Sequence, residues 1–145
     1  MTASPPPRAR LRFIDLTTAE PDAGRVSTTV ALGWDAGMAF VGRAEGTASP
    51  SGRLRAAAQA CLAALSRAVP DVRFELPGVK AVKAFDGVVV IASLASLDDG
   101  GVRVVGSSLA SAATPRSAAL AVLNASNRLL ERGDVRRDRQ GQGTA

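Results

Sequence analysis

Histidine and tyrosine are both missing from the 145 residues, and cysteine and tryptophan occur once each. Without histidine there is no Ser-His or Cys-His couple to activate a nucleophile and no imidazole cage for zinc, and a lone thiol closes no intramolecular disulfide. The expected catalytic residues, metal ligands and cofactors are therefore none. Nor is there an apolar run approaching the roughly 18 residues needed to cross a bilayer, so no membrane association is expected. What is present, 46% hydrophobic and 21% charged residues, is the composition of a globular protein. A chain of this length buries roughly 68% of the surface it exposes when unfolded. A packed core without catalytic side chains reads as a binding or regulatory module.

The formal net charge is +5, with 18 basic against 13 acidic residues. That surplus sits at the ends. Arg8, Arg10 and Arg12 stand near the start with no acid among the first 12 residues, and Arg132, Arg136, Arg137 and Arg139 outnumber Asp134 and Asp138 near the end. Residues 13–131 hold 11 basic and 11 acidic side chains and are neutral. A fold that grips phosphates needs its lysines and arginines on the ordered surface, so nucleic acid is not the partner this body favours.

The opening MTASPPPRA, rich in proline and small residues, lacks the apolar stretch of a secretory signal, and a cytoplasmic protein is expected. Residues 1–9 read as a disordered arm and residues 133–145 as a disordered basic tail, the Gly133 position marking the end of the preceding helix. Between them, residues 10–132 form one domain of two units, 10–69 and 71–132.

In the first unit, residues 10–19, 26–34 and 38–45 alternate as strands, with Val26, Thr28, Val30, Leu32 and Trp34 on one face of the second. Asp35-Ala36-Gly37 is a turn between the last two. From Leu54 the period becomes helical, through Ala57, Ala58, Cys61, Leu62, Leu65 and Val69, until Pro70 stops it. The second unit repeats this order with strands over 72–83, 87–97 and 102–110, a turn at Asp98-Asp99-Gly100-Gly101, and a helix over 115–131. The doubling shows in residues as well as in pattern. Val41-Gly42 and Ser49-Pro50 recur as Val105-Gly106 and Thr114-Pro115, a Ser or Thr cap followed by a proline at the first helical position. The expected fold is thus α+β, two tandem βββα units related by a pseudo-two-fold, with the helices covering one face of the sheets. The run Val88-Val89-Val90-Ile91-Ala92 is apolar on both faces of its strand, which calls either for a homodimer or a docked partner chain over the uncovered side, or for burial within the monomer by sheet curvature.

Individual residues read mostly as structure. Cys61 falls on the apolar stripe of its helix, Asn124 and Asn127 suit hydrogen bonds to a neighbouring element, and Asp98 and Asp99 belong to a solvated turn. Asp35 and Glu45 are isolated, and Arg132-Gly133-Asp134 is a chance likeness to an adhesion motif. The two strand-to-helix loops, Gly42 to Gly52 and Gly106 to Thr114, lead into helix N-termini whose free amides suit a small anion. They read either as one shared anion pocket or as two well-capped turns.

The passage GRAEGTASPSGRLRAAAQACLAAL in the first unit is similar to the glycine-proline loop and alanine-rich helix of the C-terminal regulatory domain of 2-isopropylmalate synthase and citramalate synthase. In the second, VRVVGSSLASAATPRSAALAVLNASNRLL resembles that family's strand, glycine, polar loop and closing Ala-x-Asn-Arg-Leu, with Asn127 and Leu129 in matching places. The likeness spans about Leu11 to Leu130. It implies a detached regulatory module, binding a small metabolite through Gly46, Ala48 and Pro50 of one loop and Gly106 and Ser108 of the other, and joining as a dimer or accessory subunit to an enzyme chain. An alternative starts at residue 51, where helix, three strands and helix follow in the order of a double-stranded-RNA-binding domain, the Arg-rich arms gripping RNA or DNA.

Overall fold

The computed structural model describes residues 10–34, 37–98 and 101–142, with side chains placed up to Glu131. The elements are β1 (Arg12–Ala19), β2 (Arg25–Gly33), β3 (Ala39–Thr47), α1 (Pro50–Ala68), β4 (Phe74–Ala84), β5 (Gly87–Ser96), β6 (Arg103–Ala110) and α2 (Pro115–Gln142). They form two antiparallel sheets, β1-β2-β3 (sheet A) and β4-β5-β6 (sheet B), each followed by its helix. The fold is α+β and consists of two tandem βββα units. Residues 1–9 and 143–145, and Asp35, Ala36, Asp99 and Gly100 of the expected turns, lie outside the described residues.

Each helix packs on the last two strands of its own unit, on the other helix, and on the first strand of the other unit, α1 reaching β4 and α2 reaching β1. That reciprocity is what an approximate two-fold demands. The buried positions of α1, from Leu54 through Ala56, Ala57, Ala58, Ala60, Cys61 and Ala64 to Leu65, cover roughly 200° of its circumference at 100° per residue. A helix so widely buried serves two neighbours at once.

Alanine makes this possible. Among the described residues, 11 of the 25 buried hydrophobic side chains are alanine, nine of them on the two helices, and none is aromatic. The helices therefore approach by backbone. A Cβ on Gly42 of β3 would stand 2.2 Å from the Ala64 amide nitrogen and 2.3 Å from the Ala60 carbonyl oxygen. One on Gly106 of β6 would stand 2.2 Å from the Ala121 carbonyl oxygen and 2.4 Å from the Ala125 amide nitrogen. Any side chain at either glycine drives the helix off its sheet.

The helix starts behave as their sequences foretold. Ser49 Oγ accepts from the Gly52 amide at 3.1 Å and Pro50 is the first helical residue; Thr114 Oγ1 accepts from the Ser117 amide at 3.1 Å ahead of Pro115. The end of α2 differs from expectation. The helix does not stop at Glu131 but continues to Gln142, so most of the stretch expected as a disordered tail is helical. An interior glycine costs about 1 kcal/mol, which a propagating helix absorbs when hydrogen-bonded turns flank it on both sides.

Gly42→Ala and Gly106→Ala should each cost about 3 kcal/mol of stability in urea denaturation, because the atoms met are helix backbone rather than the yielding tip of a side chain. Alanine at Gly24, where nothing lies within 4 Å but φ is +79°, should cost about 1 kcal/mol through backbone strain alone.

Candidate functional site

The first strand-to-helix loop closes on itself. Gly46 faces the first turn of α1, where an added Cβ would lie 3.1 Å from the Gly52 carbonyl oxygen and 3.3 Å from Ala56 Cβ. The Ala48 amide donates to the Gly24 carbonyl at 2.9 Å, and its own carbonyl accepts from Arg53 Nε at 3.1 Å. Thr47 Oγ1 and Ser49 Oγ share a hydrogen bond at 2.9 Å, and Arg53 is ion-paired with Glu20. The polar groups that would receive an anion are thus largely engaged with one another, and Pro50 contributes no amide.

Gly46, Ala48 and Pro50 are brought together here, at the close of β3. Gly106 and Ser108 belong to sheet B, Gly106 wedged beneath α2 and Ser108 two residues further along β6. The helix starts do not lie side by side. The Cys61 thiol donates to the Ala119 carbonyl at 3.4 Å, setting the second turn of α2 beside a point 11 residues into α1, about 16 Å from Pro50 at 1.5 Å per residue. Arg116, at the start of α2, lies over the Phe13 ring of β1 at 5.2 Å from its centroid. No hydrogen bond or ion pair among the described residues joins the two loops, and the arrangement is that of two separately capped turns.

Cys61 is buried between the helices, and desolvation pushes its thiol from an ordinary value of 9.0 up to about 12. Asn124 is structural in a way the sequence did not specify: its Oδ1 accepts from the Ser107 amide at 3.2 Å, while Arg128 Nη1 donates to the Val105 carbonyl at 3.2 Å. The two side chains thus engage one amide and one carbonyl of β6. Asp98 is likewise more than a solvated turn residue, since its Oδ2 accepts from the Arg73 amide at 2.8 Å and its other oxygen pairs with Arg73 Nε at 3.6 Å.

The outer faces of the two sheets differ. On sheet A, register places Thr17, Thr29 and Arg43 in one row and Ala19, Ser27 and Glu45 in the next. Arg43 donates to Ser27 Oγ at 2.8 Å, and Glu45 pairs with Arg25 at 3.1 Å and Arg43 at 3.6 Å. Apolar exposure in this unit gathers at one end, where Ile14 and Val41 stand with Met38 just ahead of β3. On sheet B the rows read Val82, Val89 and Leu109; Lys80, Ile91 and Ser107; Gly78, Ser93 and Val105; and Glu75, Ala95 and Arg103. Leu109 is 63% exposed, Val105 51% and Val82 38%, with Val89 and Ile91 half-buried between them. Glu75, Lys80 and Arg103 make no ion pair or side-chain hydrogen bond among the described residues.

Beside this face stands the β4–β5 turn, made of Phe85 (φ 51°) and Asp86 (φ 59°), with Phe85 88% exposed. Two left-handed residues make a type I′ hairpin, a place for asparagine and glycine, where a bulky side chain is an outlier. The adjoining glycine does not relieve it. Gly87 is held in the ladder opposite Ala84, where a Cβ would stand 2.7 Å from the Ala110 carbonyl oxygen, so the strained positions fall on Phe85 and Asp86 instead. Strain kept in this way points to function at the strained residue.

Among the described residues no three His, Cys, Asp or Glu side chains gather as metal ligands, and no helix is long and apolar enough to cross a membrane. Comparison with known proteins finds no matching family model and no matching curated protein.

Two outcomes follow from the chemistry of these residues. Since the unfolded Cys61 thiol ionises from about pH 9 and the folded one only near 12, stability is intact below 9 and falls as pH rises between those values, by about 1.4 kcal/mol per unit, which alkaline urea titrations of the parent and Cys61→Ala should separate. Replacing Phe85-Asp86 by Asn-Gly should raise monomer stability by about 1 kcal/mol in the same denaturation experiment.

Proposed function

We propose that this chain is a non-catalytic assembly module, docking as a dimer or accessory subunit through the outer face of sheet B. The observation that carries the reading is the contrast between two equivalent sheets: sheet A faces water with an internally paired polar ladder, while sheet B offers five aliphatic side chains, unpaired charges and an exposed phenylalanine held in a strained turn. Contiguous apolar surface of this kind, rimmed by charge, marks protein interaction sites. The likeness of the two loop-helix passages to the regulatory domain of 2-isopropylmalate synthase supports a module of the same class, sensing a small metabolite. Its two expected ligand loops act here as separate caps, so the docking face carries the proposal and the metabolite is secondary to it.

The nucleic-acid alternative draws less support. The helix, three strands and helix from residue 50 onward are present. Yet Arg116, the cation at the start of the second helix, sits over Phe13, and Arg25, Arg43, Arg53 and Arg73 are each paired with a carboxylate.

The test compares the parent with Leu109→Glu. The parent should associate, with itself or with a separate chain co-purified in fixed stoichiometry, and the variant should lose that association while melting at an unchanged temperature. Thermal-shift screening with amino acids and 2-oxo acids reads the metabolite half. A parent and variant that both sediment as single chains and retain nothing would sink the reading.

A further inference from the structure

The assembly reading above leaves the occupant of sheet B open, and the register of its outer face narrows it. Both free edges of this sheet are poorly suited to strand addition. Asn124 takes the outward amide of Ser107 and Arg128 the outward carbonyl of Val105 on β6, and β4 carries Pro77 at its bulge together with Lys80 and Lys83, devices that hinder edge pairing. The face is then the better surface for docking.

Resting on that reading, we propose that the occupant is a second copy of this chain, its sheet B stacked face to face on the first about a two-fold axis running along β5. Such an axis lays β4 of one copy over β6 of the other. Taken row by row from the pairing register, Val82 meets Leu109 of the second copy, Lys80 meets the Ser107 hydroxyl, small Gly78 meets Val105, and Glu75 meets Arg103. Each of these contacts occurs twice, and Val89 and Ile91 meet their own counterparts on the axis. Aliphatic side chains thus meet aliphatic ones, Gly78 leaves room for Val105, and each charge of the face finds a partner of opposite sign or a hydroxyl. Stacked sheets cross at about 30°, so the central rows superpose and the end rows diverge by several ångströms, a gap that the long Glu75 and Arg103 side chains span.

The other in-plane axis, perpendicular to the strands, is less favourable when it passes through the central Lys80–Ile91–Ser107 row. There it stacks Lys80 on Lys80 and brings Glu75 toward the turn that carries Asp86. Charge complementarity therefore favours the axis along β5 over this centred alternative.

Size sets the strength. Three strands of eight to eleven residues make a face of about 30 by 14 Å, near 400 Å² in flat footprint, smaller than the roughly 800 Å² per partner of a standard interface. Phe85 of each copy, exposed in the adjoining β4–β5 turn, adds to it. A dissociation constant on the order of 1–100 μM is expected, and the dimer should appear and vanish with concentration across that range.

Sedimentation equilibrium of the full chain with Glu75→Arg, Arg103→Glu and the doubly exchanged variant tests the proposal. Both positions of change are exposed, and circular dichroism melts confirm that the variants remain folded. Each single exchange creates two like-charge contacts across the axis and should weaken dimerisation at least about tenfold, whereas the double exchange should return it to within about threefold of the parent. A chain that stays monomeric at several hundred micromolar overturns the proposal. So does a dimer indifferent to the single exchanges, or one that the double exchange fails to restore. The two readings separate cleanly: a monomer that still holds another protein in an association lost by Leu109→Glu removes the second copy but leaves the docking face, and indifference to Leu109→Glu throughout removes both.

Discussion

Backbone lies directly on backbone where Gly42 meets the turn of α1 between Ala60 and Ala64, and again where Gly106 meets the turn of α2 between Ala121 and Ala125. Much else depends on this pair of contacts. Helices seated so low bring their alanine faces together, which is why the Cys61 thiol reaches the Ala119 carbonyl and why the core needs no buried aromatic ring. The close seat gains dispersion contacts across the whole length of each strand, at the expense of tolerance: neither glycine can be exchanged without moving an entire helix. The seat is also not identical in the two units. In α1 the contact begins ten residues after Pro50, in α2 six residues after Pro115, a slip of one helical turn that leaves the two-fold approximate.

Much of the fold was legible because both signals that carried it, alternation and cap chemistry, are local. Val26, Thr28, Val30 and Leu32 did mark the inner face of β2, and Ser49-Pro50 and Thr114-Pro115 did open helices. The recurrence of Val-Gly in the last strand of each unit was visible too, although its cause was not: a glycine in a strand announces close approach without naming what approaches. The extension of α2 was hidden by Gly133, a residue whose penalty is small and whose context in a long helix outweighs it.

The surface was much less legible, since it depends on register. That Val88 to Ala92 had two apolar faces could be read directly, but not that sheet A would take its polar side outward and pair it internally while sheet B would not. Strands expected over 72–83 and 87–97 left residues 84–86 as the connection, but the left-handed backbone of Phe85 and Asp86 was not visible, because it follows from Gly87 being held in the ladder, where a Cβ would meet the Ala110 carbonyl. Whether the two loops form one pocket or two caps was not legible for a related reason. Two helix starts that look equivalent in sequence are separated in space by the way the helices cross, and crossing is a property of side-chain size over the whole interface.

Duplication usually hands both halves of a protein the same liabilities, and the fate of the two outer faces here is informative on that score. Had each sheet kept an adhesive exterior, molecules would have added end upon end into an open filament. The Arg25, Arg43 and Glu45 ladder gives sheet A a polar exterior, so the docking proposed for sheet B would, if it takes place, make a closed, finite particle. On that proposal, divergence between the repeats would leave a potential polymer unit with a single valence.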